Sequence, residues 1–251
     1  MFEYALYFVI TLGVSTLFGV AGLGSSLVLI PLFTFLGLEF NLAKAMGLFI
    51  NGITTLSLTL ENIKSKILTA REILPLLFIG AIFATLGALG SDYISEVVVK
   101  VIFVIFILFS LGLLFLGNIN PHKLFRKGDK KTLYSFIASI AFIGGLIGVG
   151  GGAVYLPLFL YIGVKTKQSI AMTSALIPVV SFSAFFSYSS FVEIEWILLG
   201  DVALAALFGA FFAHKIMQNI ENERNLKIVT SLLLFSIAMY MIYVEFLGES
   251  V

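Results

Sequence analysis

The chain has 251 residues, of which 60% are hydrophobic and 12% charged, with a formal net charge of +1 and a mean hydropathy of +1.10. So little charge cannot cover a soluble domain of this size. There is no cysteine, which excludes disulfides and thiolate metal sites, and the two histidines, His122 and His214, stand far apart in sequence. No cofactor is expected. The lysines and arginines sit in short connections between apolar stretches, where they report topology and give no sign of a nucleic-acid partner. The expectation is an all-α, polytopic protein of the cell membrane, built from segments near the ~20 residues that a hydrocarbon core requires.

Tyr4 to Gly22 is the first apolar segment. Its start has neither a basic flank nor a small-residue cleavage site, so it reads as a retained membrane segment. Beyond the turn Gly22-Leu23-Gly24-Ser25-Ser26 lies a shorter stretch, Leu27 to Leu36, too short to cross comfortably at about 1.5 Å per residue. The two are expected to form a hairpin or broken pair with its tip inside the membrane; full crossing by both is the competing reading. Glu39 and Lys44 flank a loop before the span Ala45 to Leu60, where Asn51-Gly52 at mid-depth marks a place for the helix to unwind. Glu61 to Glu72 is a polar connection with Lys64, Lys66 and Arg71. Pro75 then opens a span to Leu89, at a position where its missing donor costs least. Asp92 and Glu96 mark a loop, and Val97 to Leu116 closes the first half, residues 1–117.

Residues 118–131 form the most basic connection, with Lys123, Arg126, Lys127, Lys130 and Lys131 against Asp129. By the positive-inside tendency this linker and the Lys64 to Arg71 loop are cytoplasmic, and the Asp92 to Glu96 turn and the amino terminus are outside. The second half, residues 132–251, runs through Leu133 to Ile147, a glycine turn, and Ala153 to Ile162. The Gly163 to Gln168 loop leads to the span Ser169 to Ser187, which Pro178 is expected to break. Glu193 and Glu195 lie in the next loop, followed by Trp196 to Ala213, a connection holding His214, Lys215, Arg224 and Lys227, and a last span, Ile228 to Val244.

The halves repeat one another. Laying GVAGLGSSLVLIPLF (Gly19 to Phe33) on GLIGVGGGAVYLPLF (Gly145 to Phe159) superposes Gly19, Gly22, Gly24, Val28 and Pro31 on Gly145, Gly148, Gly150, Val154 and Pro157. The offset of 126 residues also matches Gly37 with Gly163, Met46 with Met172, and Gly52 with Pro178. Gly87-Ala88 matches Gly209-Ala210 if four residues are missing from the second half. Equivalent loops carry opposite charge bias, basic at Lys64 to Arg71 and acidic at Glu193 to Glu195, which is the pattern of two homologous inverted-topology repeats with broken or hairpin helices at the centre.

Irregular backbone is tolerated in a membrane only where protein or a watery cavity surrounds it. The glycine turns therefore belong inside the molecule, either as a site or as places where helices merely touch. A helix amino terminus offers free N–H groups and partial positive charge, which suits a compact oxyanion. The first candidates are Gly24, Ser25 and Ser26 on one side and Gly150, Gly151 and Gly152 on the other, with Tyr155 lining the pocket or packing across the turn. The second are Asn51, Thr54, Thr55, Thr173, Ser174 and Ser181; each hydroxyl has a bond to its own helix as the alternative, and Asn51 has interhelical glue. Asp201 is the one carboxylate well inside a predicted span and is a candidate for proton coupling, or a polar contact in a vestibule.

These glycine turns, with Gly148 to Phe159 and Ala171-Met172-Thr173-Ser174 the sharpest pieces, resemble the TauE/SafE family of membrane permeases, the sulfite exporters, along nearly the whole chain. The resemblance implies secondary transport of small sulfur-containing or organic anions such as sulfite or sulfonates. The first half departs from the motif, with Ser25-Ser26 where the second has Gly151-Gly152 and Gly47-Leu48 where it has Thr173-Ser174. A passive anion channel and a non-transporting scaffold are the alternatives; an enzyme is not expected, since no nucleophile, metal cluster or acid–base pair emerges. Oligomeric state is left open.

Overall fold

The structure, a computed structural model, describes residues 2–21, 24–64, 70–116, 130–162, 164, 166–217, 235, 239 and 243. Among them are nine helices: α1 (Phe2–Ala21), α2 (Ser26–Phe35), α3 (Phe40–Lys64), α4 (Ala70–Ser91), α5 (Glu96–Leu116), α6 (Lys130–Ile147), α7 (Gly152–Tyr161), α8 (Thr166–Tyr188) and α9 (Trp196–Met217). Most of the basic linker, nearly all of the expected last span, and Gly22, Leu23 and Gly163 lie outside the described residues.

Four stretches are long and apolar enough to cross a bilayer: Glu3–Val20, Ile73–Ser91, Gln168–Tyr188 and Trp196–Ile216. The chain is an all-α, multi-pass membrane protein. Within Gln168–Tyr188, 72% of residues are buried, against 33% in Glu3–Val20, so α8 is a core helix and α1 shows one side to lipid.

The repeat offset reappears in the helix bounds. α2 and α7 are both ten residues long and start 126 residues apart, at Ser26 and Gly152. Gly87 on α4 and Gly209 on α9 each leave a face of their helix without a side chain. Each uses that face to meet the first helix of the other half: a Cβ on Gly87 would overlap the Phe142 carbonyl of α6, and one on Gly209 would lie 2.7 Å from Ser15 Cβ of α1. Small residues let these backbones touch, and the packing accordingly pairs α4 with α6 and α1 with α9.

At ten residues, α2 and α7 are about 15 Å long, half the thickness of the hydrocarbon core, so neither can cross it alone. α2 returns along α1: the Tyr7 hydroxyl donates to the Leu36 carbonyl at 3.2 Å, and its ring meets Phe33 edge-on at 5.2 Å. Of the readings of this pair, the hairpin is the one formed.

α3 and α8, equivalent helices of the two halves, pack antiparallel. Lys44 lies over the Tyr188 ring, Phe49 meets Phe185 at 4.8 Å, Asn51 bonds Ser181, and Thr59 bonds the Ser174 carbonyl, so numbers rise on one helix as they fall on the other. Both helices are continuous, which corrects the expected interruptions at Asn51-Gly52 and Pro178. The reasons are tertiary. Pro178 has no N–H for the carbonyl four residues earlier, Ser174, and the Thr59 hydroxyl supplies that donor from α3. Gly52 serves packing instead of unwinding: a Cβ there would sit 2.8 Å from the Phe182 ring. Lys44, expected at the edge of a loop before the span, lies inside α3 and is 1% exposed.

Candidate functional site

The turn between α6 and α7 is made by Gly148, Gly150 and Gly151, with φ of +81°, +69° and +76°, and Gly24 before α2 has φ +83°. Side chains with a Cβ rarely adopt this left-handed backbone, which is why glycine recurs at both places. The base of the α1–α2 hairpin, at Tyr7 and Leu36, lies at the amino-terminal end of α3. The α6–α7 hairpin hands the chain to the start of α8, at the opposite end of the antiparallel pair. The tips overlap in the middle. Ser26 Oγ donates to the Val149 carbonyl at 2.8 Å, joining one tip to the other.

Asn51 stands between them. Its Nδ2 donates to Ser181 Oγ at 3.0 Å and to the Val149 carbonyl at 3.4 Å, while its Oδ1 is buried without a hydrogen-bond partner. Both glycine turns press on this amide: a Cβ on Gly24 would overlap Asn51 Oδ1, and one on Gly150 would overlap Ser181 Oγ and lie 2.8 Å from Asn51 Nδ2. Gly24, Ser26, Asn51, Gly150 and Ser181 are thus brought together from four elements. Ser25 adjoins them as the N-cap residue of α2, but its side chain makes no cap bond and its Oγ is buried without a partner. An N-cap serine ordinarily spends that hydroxyl on its own helix.

The turn N–H groups divide in two. Those of Gly148, Val149 and Gly150 return to the Gly145 and Gly144 carbonyls, closing the end of α6, so the expectation that the whole run offers free donors is corrected. At the start of α7 the Gly151 carbonyl accepts from Val154 and Tyr155, and the Gly152 N–H belongs to the first helical turn, where no intrahelical acceptor exists. Gly151 packs on its neighbour Tyr155, whose ring edge would lie 2.7 Å from an added Cβ; the Tyr155 hydroxyl is buried without a partner.

Other expected residues divide similarly. Thr54, Thr55 and Ser174 bond the carbonyls of Ile50, Asn51 and Ile170 on their own helices, at 2.9, 2.7 and 2.8 Å, which is the local alternative. Thr173 Oγ1, on α8 about two turns before Ser181, is buried without a partner. Asp201 lies on α9, partly exposed with Oδ2 buried and unpartnered, and no hydrogen bond links it to the Asn51 centre. Sequence reasoning missed Thr59, whose i+4 spacing from Thr55 was a signal, and Tyr188, whose hydroxyl donates to Gly145 and Leu146 at the end of α6. Among the described residues, no group of three His, Asp or Glu side chains could hold a metal ion. An apolar groove of about 270 Å³ between α4 and α6, lined by Phe83, Ala138, Ser139, Phe142 and Ile143, lies apart from this centre.

Part-length helical hairpins meeting at a buried polar centre, in a multi-pass membrane protein, define the transporter class. The family model for sulfite exporter TauE/SafE matches residues 7–241, and the chain belongs to that family. It is similar to the probable membrane transporter protein YunE of Bacillus subtilis, 27% identical over 99% of both chains. It is also similar to the probable membrane transporter protein MJ0441 of Methanocaldococcus jannaschii, 23% identical over 96% of this chain and 97% of that one. No solved structure matches. As a member of this transporter family the chain is not an enzyme.

Proposed function

We propose that the chain is a secondary transporter of small anions, with sulfite, sulfonates and related organosulfur or organic anions as the substrate class, working by alternating access. The observation that carries this reading is the meeting of the two hairpin tips at Asn51, where the Ser25 hydroxyl is buried without a partner and the Gly152 N–H opens α7. Backbone donors at helix starts stabilise an anion without a lysine or arginine facing lipid. The two halves are inverted-topology repeats. The antiparallel α3–α8 pair, the shared 126-residue offset and the opposite charge of equivalent loops support this. Each repeat then closes one side of the Asn51 centre, with the Ser91 end of α4 outside and the Lys64 end of α3 in the cytoplasm. The name of the matching family favours a sulfur oxyanion.

Purified protein in liposomes should take up an anion from a panel of sulfite, sulfate, thiosulfate, short sulfonates and carboxylates without ATP. Flux should saturate and show counterflow. Unitary currents with non-saturating flux would establish a channel, and no flux across the panel would refute the anion reading. A proton gradient that drives uptake in wild type and fails in Asp201→Asn would assign the coupling carboxylate; unchanged coupling would remove Asp201 from the mechanism.

A further inference from the structure

α3 carries a second buried polar group that the Asn51 centre does not use. Lys44 lies seven residues before Asn51, two turns along the same face of the helix, and is 1% exposed. Its Nζ donates to Ser91 Oγ of α4 at 2.7 Å and faces the rings of Phe40 and Tyr188 at 4.7 and 5.0 Å. An ammonium has three donors, and here one meets a hydroxyl while aromatic faces cover the rest. Among the described residues no carboxylate is in contact with it: Glu39 and Glu96 act on Lys44 only through their fields, and Glu96 is bonded to Lys100 at 2.9 Å. A buried charge with no carboxylate in contact is costly, and a protein that keeps one has a use for it.

The α6–α7 turn covers both groups. A Cβ on Gly148 would lie 2.6 Å from Cβ and Cγ of Lys44, while two residues on Gly150 presses against Asn51 and Ser181. The Tyr188 ring that lies against the ammonium also anchors the end of α6, its hydroxyl donating to Gly145 and Leu146 at 3.1 and 2.8 Å. The turn thus reaches from the lysine stem to the central amide. Toward the Ser91 end, the next polar side chain along α3 after Asn51 is Lys44, under the same turn.

We propose that Lys44, together with Ser91, is a second anion-binding station on the transport route, taking a small oxyanion when the α6–α7 turn withdraws toward the Ser91 face. The proposal rests on the carrier reading above. The station recognises charge plus one acceptor for the Ser91 hydroxyl, so it takes inorganic and organic oxyanions alike. In the closed form the aromatic faces hold the ammonium in the anion's absence.

The wild-type chain has no cysteine, so Lys44→Cys carries a single thiol. Uptake of sulfate, methanesulfonate and acetate would be measured in proteoliposomes for wild type, Lys44→Met, Lys44→Cys and Ser91→Ala. The expected result is a Lys44→Met protein with an unchanged or raised Tm and a KM at least tenfold above wild type. Lys44→Cys should lose uptake likewise, regain it to within threefold when 2-aminoethyl methanethiosulfonate restores an ammonium, and stay impaired with methyl methanethiosulfonate. Ser91→Ala, which keeps the lysine, should raise KM about threefold and serves if the Lys44 variants do not fold. Wild-type KM in Lys44→Met or in Ser91→Ala, equal rescue by both reagents, or a thiol unlabelled during turnover would overturn the station while leaving the carrier intact. A wild type that moves none of the three anions and none of the wider panel would refute both.

Discussion

Replacing Asn51 by aspartate changes one atom type at the proposed binding centre and reverses its electrostatics. The new carboxylate loses the Nδ2 donor to the Val149 carbonyl, which keeps its 2.8 Å bond from Ser26, and it can accept from Ser181, a hydroxyl able to donate as well as accept. The lost amide bonds cost about 1–2 kcal/mol and the burial of an unpaired carboxylate about 3–5 kcal/mol more where it stays charged, so the folded fraction is checked alongside uptake. The effect on a bound anion is separate. Two like charges ~5 Å apart at an effective dielectric of ~20 repel by about 3 kcal/mol, equivalent to about a hundredfold loss of affinity. The assay is anion uptake as a function of concentration in proteoliposomes, with Tm recorded on the same preparations. KM should rise about a hundredfold at neutral pH. A carboxylate at this depth has its charged form disfavoured by burial, so lowering the pH should neutralise it and restore uptake, whereas wild type should not gain in the same way. An Asn51→Asp protein with wild-type KM at neutral and alkaline pH would refute the placement of the anion at Asn51.

Three further outcomes follow from the same geometry. Ser25→Ala removes an N-cap hydroxyl that caps nothing, so stability should change by less than about 0.5 kcal/mol where a working cap would cost about 1; anion KM should nevertheless rise several-fold, and a large Tm loss with unchanged KM would show a structural role. Thr59→Val strips the donor from the Ser174 carbonyl that Pro178 leaves open, and should lower stability by about 1–3 kcal/mol with KM unaltered; restoring the helical N–H in the Thr59→Val/Pro178→Ala double variant should recover most of that loss in thermal unfolding. Gly209→Leu places a branched side chain where even a Cβ comes 2.7 Å from Ser15, so α1 and α9 cannot close and monodisperse protein should be lost on size exclusion; Gly200→Leu on the same helix, with open space around its Cα, is the tolerated control.

Much of the architecture is legible because the bilayer reduces it to one dimension. Apolar length sets the helices, and α2 and α7 could be read as part-length because ten residues fall short of the membrane whatever their surroundings. The glycine turns were legible because they occur twice at one offset. What local rules misjudged was decided by partners distant in sequence. Pro178 and Asn51-Gly52 look like breaks until Thr59 and Phe182 are placed beside them, across separations of 115 and 130 residues respectively for Thr59–Ser174 and Asn51–Ser181. The serines and threonines show the same limit. Nothing in the composition distinguishes Thr55, bonded to its own helix, from Thr173, which is not, because the difference lies in which neighbours the packing supplies. The charge of Lys44 marks it as the edge of a loop, yet its spacing from Asn51 already puts both on one helix face.

Alternating access makes a demand on the tips that a static scaffold does not. In this structure they are joined at Ser26 and Val149, and a route past Asn51 in either direction needs that contact to open. Since the chain has no cysteine, a Ser26→Cys/Val149→Cys pair introduces the only two thiols, one on each side of the contact between the tips. Oxidation should fix the closed arrangement. Uptake should then fall to the level of empty liposomes and return on reduction, while anion binding measured by Tm shift persists to the extent that the anion is trapped before cross-linking. Each single-cysteine variant, oxidised in the same way, controls for damage by the oxidant. If the cross-linked protein carries anions at the wild-type rate, the tips do not separate during transport, and the two hairpins would have to be a fixed frame around a path elsewhere. If flux is lost and recovered with the bond, the contact between Ser26 and Val149 is a gate that the two repeats open in turn.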